Sequence, residues 1–160
     1  MLTSIIMAVS ENDVIGIGNK LPWNIPYDLK WFRMNTYGGV VIMGRRTRDS
    51  LPCNTLKGRL NIVLSRSDHI DDKNILCKNF KEALAVTKGQ RKYIIGGADV
   101  YNQALLLKVV DQLIITRVHT KINHKSAVYI IEPKFKEKIW SSKTFHHKNL
   151  SFHFEIYKLK

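Results

Sequence analysis

The chain has little of what would staple, anchor or interrupt it. Its two cysteines, Cys53 and Cys77, exclude a disulfide framework, and their spacing fits no metal or redox pair. They read as free thiols of a reducing compartment. No apolar run approaches the length that crosses a bilayer. The opening run Leu2 to Val9 is too short for a secretory leader and passes directly into Ser10-Glu11-Asn12-Asp13, so a cytoplasmic protein is expected. With four prolines, nine glycines and no repeat or low-complexity stretch, nothing reads as a linker. One domain over residues 1–160, acting as a monomer, is the expectation.

Acid is also scarce. Thirteen Asp and Glu stand against 26 Lys and Arg, a formal net charge of +13. The excess is largest from His119 onward, where nine lysines face Glu132, Glu137 and Glu155. Such a balance favours anionic ligands. The basic residues form no cluster with interleaved aromatics, so specific nucleic-acid binding is not expected. Phosphorylated cofactors and polycarboxylate substrates remain. Five of the six histidines also lie in this part. His146 and His147 are adjacent, and neighbours on a strand point to opposite faces, so no metal site is expected.

The most informative stretch is Ile15 to Phe32, I-G-I-G-N-K-L-P-W-N-I-P-Y-D-L-K-W-F. Gly16, Gly18 and Asn19 tolerate positive φ, and Pro22 and Pro26 remove backbone donors, so its first part reads as irregular. Loops normally face water, and one rich in Ile, Leu and Trp needs something apolar to cover. Pro26 then suits a first helical turn. Asp28, Leu29 and Phe32 share one helix face, two apolar side chains and a carboxylate. Asp28 could serve only the helix dipole. Facing an apolar cleft, it could instead bind a flat ligand with adjacent N–H donors.

Buried strands are expected at Leu2–Val9, Val40–Met43, Leu60–Ser65, Lys92–Ile95 and Val109–Val118, with a weaker one at Asn74–Cys77. Helices are expected from Pro26 to the glycines at 38–39, from about Arg45 to Leu51, over Phe80–Thr87 and over Asp99–Leu107. Leu150 to Tyr157 alternates apolar with polar residues and reads as an antiparallel strand with one drier face, preceded by a hairpin turn at Asn149. The class is therefore α/β: a mixed, mostly parallel central sheet with helices on both faces and a C-terminal antiparallel hairpin.

Three strand-to-helix junctions carry anion-binding chemistry: Gly44-Arg45-Arg46-Thr47, Leu64-Ser65-Arg66-Ser67 and Ile95-Gly96-Gly97-Ala98. Each could be a tight turn with solvated arginines. Together they point to one carboxyl edge of a sheet, where open α/β folds hold ligands.

L-P-W-N-I-P-Y-D-L-K-W-F, V-I-M-G-R-R-T, L-x-G-R-x-N-I-V-L-S-R and I-I-G-G-A-D-V-Y resemble, in order and spacing, four signatures of the dihydrofolate reductase family. The resemblance covers residues 1–118 well and the tail only in style. It implies a three-layer reductase fold, reduction of dihydrofolate with NADPH, and antifolate inhibitors as ligands. On this resemblance Asp28 holds the pterin, Thr116 hydrogen-bonds Asp28, Trp23 holds an ordered water, and Leu21 centres a lid. Ile6, Met7, Leu29, Phe32, Leu51, Leu56, Ile95 and Tyr101 would line the substrate site, with Arg59 on the glutamate carboxylate. Arg45, Arg46, Thr47, Ser65 and Arg66 would hold the NADPH phosphates. Ala8, Ile15, Gly44, Leu64, Ile95, Gly96, Gly97, Ala98, Val100 and Tyr101 would complete the cofactor site, with a cis peptide between the glycines.

Two departures stand out. Arg48 replaces an aromatic, and Asn123 to Tyr129 replaces a segment whose acid receives lid N–H groups in the family. Lys125 donates only. The lid is expected either to close through other contacts, such as Ser126, or to stay mobile. A pyrimidine reductase of riboflavin synthesis and a nucleic-acid binder on this fold are the alternative readings.

Overall fold

The computed structural model describes residues 1–67 and 73–159. In chain order it contains β1 (Thr3–Ser10), β2 (Val14–Ile17), α1 (Pro26–Thr36), β3 (Val40–Gly44), α2 (Arg45–Ser50), β4 (Leu60–Leu64) and β5 (Ile75–Cys77). Next come α3 (Phe80–Val86), β6 (Lys92–Gly96), α4 (Ala98–Leu106), β7 (Gln112–Val118), β8 (Ala127–Tyr129), β9 (Lys136–Ser141), β10 (Phe145–His147) and β11 (Leu150–Leu159).

The continuous apolar runs make the centre of a nine-stranded sheet ordered β10-β11-β7-β1-β6-β3-β4-β5, with β9 also on β11. The block from β7 to β5 is parallel, and β11 joins β7 antiparallel. Pleating sends alternate residues of each run to opposite faces. Ile5, Val9, Ile42 and Ile62 pack with Phe80 and Ala83 of α3 and with Ala104 of α4. Ile6, Val41, Met43 and Val63 pack on the other face against Trp31 and Phe32 of α1. Both faces are covered, which gives the three expected layers. On the α1 side an aromatic group continues along the antiparallel strands: Trp31 stacks on Phe154 with ring centroids 4.3 Å apart.

Four expectations change. The stretch from Ile15 is not wholly irregular, because β2 pairs antiparallel with β8. β7 starts at Gln112 rather than Val109, because the backbone turns after α4 at Lys108, where φ is 54°. β9 is a strand that its K-E-K-I-W-S sequence did not suggest.

The last concerns β11, which has no single dry face. Glu155 and Tyr157 are as buried as Phe152 and Phe154. Arg117 explains this, because its Nε donates to Glu155 Oε1 at 2.5 Å while its Nη groups take Glu132. Lys138 of β9 also pairs with Glu155. Burial alone would raise the Glu155 carboxyl, but these two cations hold it down at about 2. Among the described residues no helix is long and apolar enough to cross a membrane.

Candidate active site

Three neighbouring strands bring the three junctions together. Gly44 of β3 lies opposite Leu64 of β4, and Met43 opposite Gly96 of β6. The junctions therefore share one carboxyl edge. α2 and α4 begin there behind Gly44 and Gly97, and neither start receives a side-chain cap. α3, away from the glycine junctions, is capped: Asn79 Oδ1 accepts from the Glu82 N–H at 2.9 Å. Uncapped first-turn N–H groups are donors for an anion.

Gly96 and Gly97 are joined by a cis peptide, as the resemblance implied. A Cβ at Gly96 would lie 3.4 Å from the Tyr101 hydroxyl and 3.5 Å from Thr47 Oγ1, so glycine keeps the space between those side chains open. Tyr101 is buried and donates to the Ile6 carbonyl at 3.0 Å; burial pushes its hydroxyl pKa well up. Arg45, Arg46 and Arg66 are exposed along this edge, and Ser65 Oγ accepts from the Ser67 N–H. Ile15 and Leu64 pack beside Val100 and Tyr101. Ala98 starts α4, and Arg48 pairs with Asp49.

The other half of the site lies where α1 meets β1 and β7. Thr116 sits opposite Ala8, and its hydroxyl donates to Asp28 Oδ1 at 2.6 Å. Asp28 is 9% exposed. Burial pushes its carboxyl above the ordinary aspartate value, and the Thr116 bond opposes that rise. Asp28 lines a cavity of about 130 Å³ with Leu21, Trp23, Asn24, Ile25 and Leu29. Leu21 and Leu29 are half exposed at its mouth, whereas Trp23 and Ile25 are buried. Trp23 Nε1 is buried with no partner, a donor suited to a bound water or ligand atom.

Ile6, Phe32, Leu51, Leu56 and Ile95 form one apolar cluster beside this acid. Met7 does not join them. Its side chain points to the opposite face, with Tyr101 and Val100, because the pleat separates it from Ile6. Arg59 stands in the turn before β4. Its Nε donates to the Lys57 carbonyl at 3.0 Å and its Nη1 to Thr36 Oγ1 at 3.1 Å. Burial first, then neighbouring Arg33, lowers its pKa.

The loop in front of α1 is tied at two adjacent residues. Gly18 N–H donates to the Ser126 carbonyl at 2.9 Å, and Asn19 Nδ2 donates to the Arg46 carbonyl at 2.8 Å. Lys125 is exposed. Sequence reasoning placed Asn19 and Ile25 only as parts of the loop, and it missed Asn24, Thr36 and Asn61. Only Asn61 carried a signal, a polar residue inside the apolar run L-N-I-V-L. His119, just past β7, and His153 of β11, also unforeseen as a pair, meet at 2.7 Å.

An open α/β sheet with uncapped helix starts along one carboxyl edge, beside an apolar cleft holding a buried acid, defines an enzyme of the ligand-at-the-strand-ends class. The dihydrofolate reductase family model matches residues 2–159. A dihydrofolate reductase of Buchnera aphidicola subsp. Baizongia pistaciae is 41% identical over 124 residues, 76% of this chain and 74% of that protein. One from Buchnera aphidicola subsp. Schizaphis graminum is 37% identical over 144 residues, 89% of this chain and 86% of that protein. One from Neisseria gonorrhoeae is 44% identical over 106 residues, a match that spans 65% of either chain. The chain belongs to the dihydrofolate reductase family.

Proposed function

We propose that this protein reduces 7,8-dihydrofolate to 5,6,7,8-tetrahydrofolate, with NADPH as cofactor, as a cytoplasmic monomer. The observation that carries the reading is Asp28: a buried carboxyl held by Thr116 at 2.6 Å in an apolar cleft next to the uncapped edge. Bound NADPH would supply a hydride for C6 of the substrate.

The residues present fit both groups. The N–H groups of α2 and α4, with Arg45, Arg46, Thr47, Ser65 and Arg66, would hold the cofactor phosphates. Gly96 and Gly97 allow a close approach to the backbone. Asp28 would accept two N–H donors of the pterin and orient its ring against the cluster of Ile6, Phe32 and Leu51. Water, positioned by Trp23 Nε1, would deliver the proton to N5, while Leu21 and its loop exclude bulk solvent.

Loss of the NADPH absorbance band on adding dihydrofolate to purified protein tests the reading, and no loss refutes it. Methotrexate binding separates it from the pyrimidine reductase alternative.

A further inference from the structure

Thr36 has no solvent exposure, yet it is polar and lies in the last turn of the helix whose first turn carries Asp28. Its hydroxyl donates to the Phe32 carbonyl at 2.8 Å, an ordinary helical back-bond. That bond already satisfies its donor. The same oxygen also accepts from Arg59 Nη1 at 3.1 Å, from a turn outside the helix.

Arg59 is held from a second side as well. Asn61, 4% exposed, donates to the Arg59 carbonyl and pairs with both the N–H and the carbonyl of Leu56. With Nε on the Lys57 carbonyl and one Nη1 N–H on Thr36, the rest of the guanidinium is left for a ligand. Among the described residues no carboxylate pairs with it. A solvated surface arginine would need neither the buried threonine nor the buried asparagine.

We propose that Thr36 is a positioning residue that fixes the Arg59 guanidinium relative to Asp28. α1 then acts as a ruler: eight residues separate Asp28 from Thr36, about 12 Å along a helix. Thr36 thereby sets how well the guanidinium is placed for the tail carboxylate that the resemblance assigns to Arg59. This rests on the dihydrofolate reading and adds a determinant of substrate selection to it.

The test compares Thr36→Val and Thr36→Ser with the native protein on two substrates, dihydrofolate and a dihydropterin without the benzoylglutamate tail. Valine is expected to raise the KM for dihydrofolate about tenfold, the loss of one charge-assisted hydrogen bond, with kcat kept. The tailless substrate should show no change in kcat/KM, and serine should restore the native KM. Binding of methotrexate, followed by tryptophan fluorescence, should weaken in parallel, while binding of a tailless diaminopyrimidine antifolate should not. Equal losses on both substrates, or an unchanged KM in the valine variant, would overturn the proposal and leave the reductase reading intact. Native protein that binds neither antifolate would overturn the reductase reading and the proposal with it.

Discussion

The Thr116 hydroxyl donates to Asp28 Oδ1 at 2.6 Å, joining a central strand to a helix start 88 positions away in the chain. The bond does two things at once. It fixes where the carboxyl points, and it restrains the rise in pKa that burial causes. Because the folded-state pKa lies above the unfolded one, the stabilising effect of Asp28 is complete only below the unfolded value. It is lost as pH rises through the folded value. Above the folded value the ionised, buried carboxylate therefore weighs against the fold.

Asp28→Asn should accordingly gain stability over the native protein as pH rises, with the difference shrinking toward acid. The same substitution removes a charge-assisted contact to substrate of about 1.5–3 kcal/mol, a loss of order 10–100-fold in kcat/KM. Thermal unfolding across pH, beside steady-state kinetics, checks both halves. Full activity in this variant at pH 7 would remove Asp28 from the mechanism.

Thr116→Val keeps the shape and deletes the donor. The opposing influence on Asp28 disappears, so its pKa should move further up. The pH profile of kcat/KM reads this as a limb displaced toward alkaline pH. An unmoved limb would mean that the profile reports another group.

Arg45, Arg46 and Arg66 supply more positive charge along the carboxyl edge than a pyrophosphate needs, and a 2′-phosphate is the natural further partner. The native protein should prefer NADPH to NADH. Arg45→Ala and Arg66→Ala should each narrow that preference, by about tenfold for a lost charge-assisted bond, with the NADH constants little changed. Equal specificity constants for the two cofactors in the native protein would make these arginines mere surface.

The proposed lid already has contacts that bypass position 125: the Ser126 backbone carbonyl receives the Gly18 N–H, and Asn19 reaches the Arg46 carbonyl. Lys125→Asp should leave the pre-steady-state hydride-transfer rate nearly unchanged. Asn19→Ala should weaken NADPH binding several-fold, a neutral hydrogen bond being worth about 1 kcal/mol. A faster reaction in the Lys125→Asp variant would show that the lid still lacks a closing contact.

Gly58 has φ of +78°, and a Cβ there would come within 2.2 Å of the Tyr37 ring. Gly58→Ala should cost about 1–2 kcal/mol for the left-handed backbone alone, read as a lower urea midpoint. Since Arg59 follows directly, the KM for dihydrofolate should rise too.

The sequence by itself determined the layers and the chemistry of the edge. The run V-V-I-M is apolar on both sides of the pleat, and L-N-I-V-L is so except at Asn61, which only a sheet covered on both faces tolerates. Pro26 and Asp28 announced a helix start, and the glycine and arginine junctions announced open helix ends. These signals are local, so composition and spacing carry them.

Tertiary structure alone decided which distant groups meet. β2 and β8 are only four and three residues long, too short to show a pattern of their own, and they exist because each supplies the other's hydrogen bonds. Glu155 of β11 became interior because Arg117 of β7 and Lys138 of β9 pair with it there, while Arg117 also holds Glu132. Thr36 and Asn19 look like any polar residue until Arg59 and the Arg46 carbonyl arrive beside them. Their roles come from hydrogen bonds between segments far apart in the chain, and the partner's position is set by packing that no single stretch encodes.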